Sequence, residues 1–289
     1  MMRTRERTVK AKDCKTSRVP ADAVVAWPAM RNVLQAMAVL FLVALPVFAQ
    51  TPAPAAPAAS APAVPSADDV ARHTFDILAG PAWEKARFIA FTFNVVRGAA
   101  SVAQYPQQWD RYTGDYRVSG HDPQGIPFLI IMNVNTRKGR AWKDDKEVEN
   151  PTELLDLGYR RFINDTYWVL MPIKSLDPGV HREYVGDRHD SCGQTWDVVK
   201  LTFDAGVGLT PQDQYWMWVN RDTGLTDEWD MKLTGSKPED PALRVYFHDF
   251  RRIGGLLLST RREIRDKNQE IHLDDIQVSS EVPAGAFSK

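Results

Sequence analysis

The most constraining feature of this 289-residue chain is a run of three successive strand patterns between Trp196 and Leu233. Residues 196–203 and 214–220 are rich in β-branched and aromatic side chains, and residues 225–233 form the third run. The last two runs are joined by Arg221-Asp-Thr-Gly224, in which glycine accepts the positive φ that a hairpin turn requires. The stretch therefore predicts antiparallel strands within one sheet.

The second run also predicts that both faces of this sheet are apolar. Side chains alternate between the faces of a strand, so Trp216 and Trp218 lie on one face, and Tyr215, Met217 and Val219 lie on the other. A sheet with two apolar faces is normally covered on both. One face should be a core, and the other should be covered by a helix, a partner or a ligand.

The remaining patterns predict an α+β, mainly β protein. Tight turns separate most strand patterns, which favours an antiparallel meander over βαβ units. A helix is predicted from Ser66 to Gly80, and a second from Asn150 to about residue 163, followed by a strand at 166–171. We expect a single large curved sheet of about 10–11 strands that forms an unclosed barrel lidded by two or three helices, since sheets of this width curl.

The first 65 residues are predicted to direct export and not to form part of the folded domain. Residues 31–46 form a basic then apolar run, and Val47-Phe-Ala49 fits signal-peptidase cleavage, so residues 1–49 are predicted to be a signal peptide. Residues 1–29 exceed the usual basic region, and a start at Met30 would give an ordinary one. The alternative is a membrane anchor, but the apolar core, residues 33–45, is short for the roughly 20 residues that span a bilayer.

Export implies a periplasmic location and a simple domain arrangement. The Ala/Pro-rich residues 50–65 are predicted to be a linker, and residues 66–289 a single unclosed β-barrel domain. No cysteine follows the apolar run at the cleavage point, so the mature chain is not expected to be a lipoprotein itself.

Four stretches resemble a known superfamily. They are Thr113–Val118, Ile163–Trp168 with Leu170–Pro172, Leu201–Asp204 with Gly206–Pro211, and Ile253–Leu256. Together with the element order, they resemble an uncharacterised bacterial branch of the periplasmic outer-membrane lipoprotein-sorting, or lipoprotein-carrier-like, superfamily. The resemblance implies an unclosed barrel with helical lids and an apolar cavity for acyl chains. It also implies an arginine that latches the lid, but no arginine of the sequence can be assigned to that role, so cargo transfer is not implied.

Composition and motifs predict a protein without catalytic, metal or cofactor sites. A formal net charge of −1 gives no electrostatic basis for nucleic-acid binding. The sequence holds no Gly-x-Ser-x-Gly and no His-Glu-x-x-His motif, and Gly206-Val-Gly208 is not followed by the Lys-Ser/Thr of a phosphate loop. His189 lies between Asp187 and Asp190, but a metal site would require further converging ligands.

These observations favour an exported binding or carrier protein with an apolar cavity for a lipid-like ligand or an acylated protein. Nine side chains are predicted to line the cavity: Ile89, Phe91, Phe93, Val95, Leu129, Ile131, Trp168, Trp216 and Trp218. In a tightly packed core, Phe→Ala typically costs about 3–5 kcal/mol of folding free energy. If the cavity is partly vacant, Phe93→Ala should cost less than this.

Two alternatives stay open. One is a carbohydrate-binding module or glycan hydrolase that uses Trp216 and Trp218 for stacking, with carboxylates such as Asp213 and Glu228. The other is a structural partner in an envelope assembly.

Overall fold

A computed structural model describes residues 64–289, and the proposed signal peptide and nearly all of the linker lie outside the described residues. The described chain contains three helices: α1 (Ala67–Leu78), α2 (Ala82–Lys85) and α3 (Thr152–Lys174). The strands that precede α3 are β1 (Phe88–Arg97), β2 (Ala100–Asp110), β3 (Asp115–His121), β4 (Pro127–Asn133), β5 (Lys138–Lys143) and β6 (Lys146–Glu147). The strands that follow it are β7 (Val180–His189), β8 (Thr195–Phe203), β9 (Gln214–Asn220), β10 (Thr226–Lys232), β11 (Leu243–Ile253), β12 (Leu256–Ile264) and β13 (Gln269–Ser279).

All thirteen strands belong to one sheet, in the order β6-β5-β4-β3-β2-β1-β13-β12-β11-β10-β9-β8-β7. The chain first builds one half outward from β1 to β6. Helix α3 then carries it to the opposite edge, and the second half returns from β7 to β13, which pairs antiparallel with β1. The strands β6 and β7 remain unpaired with each other, so the sheet is not closed into a barrel. The predicted fold class is confirmed, with thirteen strands where about ten or eleven were expected.

Helix α1 begins where the sequence predicts. The Ser66 side chain accepts a hydrogen bond from the Asp69 N–H at 3.1 Å, and Asp68 and Asp69 lie in the first turn, where carboxylates favour the helix N-terminus. Its buried side, which includes Val70, Ala71 and Leu78, faces the sheet and α3. Helix α1 thus covers part of the second half of the sheet.

Helix α3 is longer than the sequence predicts, and the strand expected at 166–171 is its second half. The sequence interval from Thr166 to Met171 is apolar on all sides because this half of the helix is buried between α1 and the sheet. The spacing of apolar residues cannot distinguish a helix that is buried on all sides from a strand with two apolar faces. The Thr166 hydroxyl donates to the Phe162 carbonyl at 2.6 Å, so its polar group is satisfied within the helix.

The core lies between the helices and the face of the sheet that they cover, which we term the inner face. One cluster joins α1 and the second half of α3 to β1 and to strands β8–β13. A second cluster joins the first half of α3 to β3, β4 and β5. The opposite, outer face carries no helix among the described residues. None of the three described helices is long and apolar enough to cross a membrane.

Candidate functional site: the interface between the helices and the sheet

Five of the nine predicted cavity residues come together on the inner face. Ile89, Phe91 and Phe93 of β1 are buried, and Val95 packs partly buried against the same cluster. Trp168 of α3 lies over this strand, and its ring meets that of Phe93 edge to face at 6.5 Å. The structure therefore places β1 and α3 against each other, as opposite walls of the helix–sheet interface.

The other four lie on the outer face. Leu129 and Ile131 alternate with the inward Phe128, Ile130 and Met132 of β4. Trp216 and Trp218 are cross-strand partners of Asp230 and Glu228, and they alternate with residues of the inner cluster, Tyr215, Met217 and Val219. The nine side chains are therefore divided between two faces and do not form one surface.

The outer tryptophans are engaged by neighbouring charges. The Trp218 indole N–H donates to the Asp230 carboxylate at 3.0 Å, and the Arg244 guanidinium lies 4.4 Å from the ring centroid. Arg244 also forms ion pairs with Asp230 at 2.6 Å and with Glu228 at 2.8 Å. Burial raises the pKa of Glu228. Arg244 thus lies over one face of the Trp218 ring, and both tryptophans are partly exposed.

Asp213, the other carboxylate of the glycan hypothesis, has a structural role. Its side chain accepts hydrogen bonds from the Thr234 N–H and hydroxyl at 2.6 and 2.7 Å, and from the hydroxyls of Thr210 and Tyr215 at 2.7 and 2.9 Å. These donors outweigh the desolvation of the group and hold the pKa of Asp213 below its ordinary value. A carboxylate with four internal donors fixes the 210–234 loops and is not available for acid–base chemistry.

The interface itself is filled by aromatic side chains. Trp229 of β10 is 1% exposed and lies 5.5 Å from Tyr167 and 5.5 Å from Trp168 of α3, measured between ring centroids. Tyr215 and Phe247 contact the same ring at 5.2 and 6.1 Å. A ligand between the layers would therefore have to displace these rings or part the two layers.

Arg262 of β12 is the polar residue in this interface that sequence reasoning missed. It is 1% exposed and points to the inner face, opposite Phe247, whose ring centroid lies 4.7 Å from its guanidinium. Its guanidinium donates to the Ser259 carbonyl at 2.7 Å and to the Val169 carbonyl of α3 at 3.3 Å. Its Nε has no acceptor among the described residues, and burial lowers the pKa of Arg262 to about 9.

A signal for Arg262 does exist in the sequence. Counting in steps of two from Ile264, the last inward residue of β12, places residue 262 on the inner face. An arginine at an inward position of an apolar strand needs a reason, since unpaired buried charges are costly. The run Thr260-Arg-Arg-Glu263 conceals this signal, because it reads as an ordinary solvated stretch.

A second polar connection holds α3 to the first half of the sheet. The Asp165 carboxylate is fully buried and accepts hydrogen bonds from the side chains of Arg161, Asn164 and Gln107 of β2. Tyr116 donates to the Gln107 carbonyl oxygen at 2.5 Å. Burial raises the pKa of Asp165 despite these donors, so the carboxylate is held in a costly position between helix and sheet.

Metal-binding geometry is not found within residues 64–289, where no group of three or more His, Cys, Asp or Glu side chains could hold an ion. His189 is exposed, and its ring nitrogens lie 2.8 Å from the Thr195 hydroxyl and 3.3 Å from the Asp187 carboxylate.

An open antiparallel sheet, covered on one face by helices that pack through aromatic side chains and a buried arginine, defines the class of this protein. No family model matches the chain, and no curated protein matches it either.

Three solved structures align with most of this chain. A LolA superfamily protein from Nitrosomonas europaea aligns with a TM-score of 0.46 at 12% identity, over 78% of this chain and 99% of that one. A DUF1329 family protein from Desulfovibrio piger aligns with a TM-score of 0.43 at 13% identity, over 75% and 97% of the two chains. A putative outer membrane lipoprotein-sorting protein domain from Vibrio parahaemolyticus gives 0.40 at 10% identity, over 75% and 97%. Two of these three proteins are named for the superfamily that the sequence resembles, and with TM-scores below 0.5 that resemblance stays a prediction for this chain.

Proposed function

We propose that the protein is an exported binding or carrier protein of the periplasm, without catalytic activity, that holds a lipid-like or acylated ligand between its helices and the inner face of its sheet. The ligand would enter when α3 and α1 move away from the sheet. Acyl chains would then contact Phe93 and Trp168 from the two layers, in place of the contact that these rings now make with each other.

The observation that carries this proposal is Arg262. It places a cation, with one unsatisfied N–H group, in an otherwise aromatic interface. No carboxylate accepts a hydrogen bond from it among the described residues, so in a permanently closed core only two carbonyl hydrogen bonds and the Phe247 ring offset its desolvation. If the layers part, water or the polar head of a ligand can satisfy the guanidinium. Arg262 therefore lowers the free-energy difference between the closed and the open arrangement.

The contacts between α3 and the sheet also suit a layer that can move. The helix contains Pro172, which removes the N–H that would otherwise bond to the Trp168 carbonyl. Within residues 64–289, its hydrogen bonds to the strands lie at Arg262 and at the buried Asp165. Such an interface is held mainly by apolar contacts, which a ligand with an acyl chain can replace one for one.

The proposal is tested by titrating the purified protein with cis-parinaric acid, a fluorescent fatty acid, and by displacing the probe with palmitate or with a soluble oligosaccharide. We expect saturable binding that palmitate reverses and the oligosaccharide does not. Trp168→Ala should change the affinity, because Trp168 faces the sheet across the interface. Trp216→Ala is the matched control, since Trp216 is a partly buried tryptophan on the outer face.

Two results would overturn the proposal. Absence of probe binding would exclude a lipid site. Loss of binding in Trp216→Ala alone, or displacement by the oligosaccharide, would move the site to the outer face and favour the carbohydrate hypothesis.

Export is the second part of the proposal, and it concerns residues that the structure does not describe. Cleavage after Ala49 gives a mature chain that begins at Gln50. N-terminal sequencing of the periplasmic protein checks this, and a mature chain that retains Met30 would contradict it.

A further inference from the structure

The outer face contains a cavity that the proposed function does not use. It has a volume of about 350 Å³ and lies over the first half of the sheet, where Phe88, Gln108, Arg117 and Gln277 form its floor. A smaller cavity of about 140 Å³ adjoins it over Ala90 and shares Gln108, Arg117 and Gln277 with it. The two volumes together form one polar recess.

The register of the sheet explains the recess. Gln277, Ala90, Gln108 and Arg117 are successive cross-strand partners on β13, β1, β2 and β3, so they form a straight row on the outer face. Three of these side chains are long and polar, and the short side chain of Ala90 leaves a depression between them. The row continues on β4 with Ile131, which closes it with an apolar side chain.

The C-terminal segment, residues 280–289, forms the roof. After β13 the chain crosses the outer face, and Pro283, Ala284, Gly285, Ala286 and Ser288 line the cavity. The Phe287 ring packs against Phe88 at 6.4 Å, and the Lys289 ammonium group donates to the Asp145 carbonyl at 2.8 Å. The segment is therefore continuous with β13 at one end and held by Phe287 and Lys289 at the other, while its middle spans the recess.

Two polar groups in the recess lack partners. The Nε of Arg117 and the side-chain carbonyl oxygen of Gln108 are both buried, and neither has a hydrogen-bond partner within residues 64–289. The two residues lie directly opposite each other on neighbouring strands, yet the donor of one does not reach the acceptor of the other. No carboxylate lines the larger cavity, and Asp275 lines only the smaller one. Buried groups of this kind normally have a partner.

We infer that this recess binds a small carboxylic acid with an adjacent N–H or O–H group. The Arg117 and Gln108 side chains turn from their covered positions toward the recess, where Arg117 donates to the carboxylate and the Gln108 oxygen accepts from the adjacent donor. A carboxylate supplies the acceptor and the negative charge that the guanidinium lacks, and guanidinium–carboxylate hydrogen bonds are among the strong ones. The adjacent donor satisfies the amide oxygen. Phe88, which lines the larger cavity, can contact a short apolar substituent.

Isothermal titration with three small probes tests this inference. N-acetylglycine carries both required groups, propionate has only the carboxylate, and N-acetylglycinamide has no charge. We expect saturable binding of N-acetylglycine, weaker binding of propionate, and none of the neutral amide. Arg117→Gln should lower the affinity at least about tenfold, the usual effect of removing a charged hydrogen-bond donor. Amide shifts in a ¹H–¹⁵N spectrum should be confined to β1–β3, β13 and the 280–289 segment.

Two further variants keep the test decisive. Arg160→Gln is the matched control, because Arg160 is an exposed arginine on α3 without a hydrogen bond or ion pair to another described residue, and it should bind like the wild type. Ala90→Val narrows the depression between Gln108 and Gln277 without replacing a polar side chain, and it should weaken binding in a folded protein. The inference is overturned if N-acetylglycine does not bind, if propionate binds equally well, or if Arg117→Gln binds as tightly as the wild type.

Discussion

Replacing Arg262 with methionine should leave the fold as stable as before or make it more stable. Desolvation alone lowers the pKa of Arg262 to about 9, which corresponds to roughly 5 kcal/mol that disfavours the cation in the interface. Two hydrogen bonds to carbonyls return roughly 1.5 kcal/mol each, and the contact with Phe247 about 2 kcal/mol. These contributions nearly cancel. Methionine keeps most of the apolar stem, so the net change should lie within about 1–2 kcal/mol, on the stabilising side.

The measurement is urea unfolding followed by tryptophan fluorescence. Arg251→Met is the matched control, since Arg251 is an exposed arginine on β11, next to β12. Removing one partner of a buried ion pair typically costs about 3–5 kcal/mol, because the other charge is left unpaired. Arg262 has no carboxylate partner among the described residues, so its removal leaves no such charge. A loss of that size in Arg262→Met would refute the reasoning and make the arginine a stabilising core residue.

The same variant should bind an acyl probe more slowly and more weakly. A closed state that is more stable by about 1.4 kcal/mol lowers the population of the open state, and with it the apparent affinity, about tenfold. Stopped-flow mixing with cis-parinaric acid checks this, and equal rates for Arg262→Met and the wild type would separate the arginine from any opening step.

Three further variants test the packing. Phe93→Ala should cost about 3–5 kcal/mol in thermal or urea unfolding, because the ring is buried against Trp168. A much smaller loss would favour the partly vacant cavity that the sequence predicts. Ser66→Ala should cost about 1 kcal/mol through loss of the α1 cap, and unchanged helix stability by hydrogen exchange would contradict this. Gly139→Ala should cost more than about 2 kcal/mol, since a Cβ there would lie 2.2 Å from the Ile131 carbonyl oxygen; wild-type stability would mean that β4 and β5 can separate freely.

The sequence predicts the sheet well because its signals are local. Turns such as Arg221-Asp-Thr-Gly224 fix antiparallel neighbours, and the observed pairing of β9 with β10 follows that turn. The alternation in β9 is also confirmed, with Tyr215 and Met217 on one face and Trp216 and Trp218 on the other. Alternation does not say which of two apolar faces the helices cover. That choice depends on where α3 crosses the sheet, which is a tertiary property.

The interface between the helices and the sheet was less predictable than the sheet, because it also depends on tertiary packing. The second half of α3 resembles a strand because it is buried on every side, and Arg262 resembles a surface residue because its neighbours are charged. Both misreadings arise where a segment lies between two layers. Local sequence then reports burial or polarity, but not the partner that causes it.

Acid should weaken the fold in part through Asp213, and replacing that residue should reduce the effect. Its folded-state pKa lies below its ordinary value of 3.8, because four hydrogen bonds favour the carboxylate. A carboxyl group of this kind contributes stability that is present above pH 3.8 and is lost as the pH falls through the folded pKa. Asp165 acts in the opposite sense: burial raises its pKa, so protonation favours the folded state and its contribution declines as the pH rises from 3.8.

Because the charged Asp213 stabilises the fold, Asp213→Asn should be less stable than the wild type near neutral pH, but lose less stability between about pH 5 and about pH 3. Urea midpoints across this range provide the measurement, with Asp156→Asn, an exposed change on α3, as control. An acid loss in Asp213→Asn as steep as that of the wild type would mean that other carboxylates govern the acid limb and that the Thr210, Tyr215 and Thr234 hydrogen bonds do not depend on the charge of Asp213.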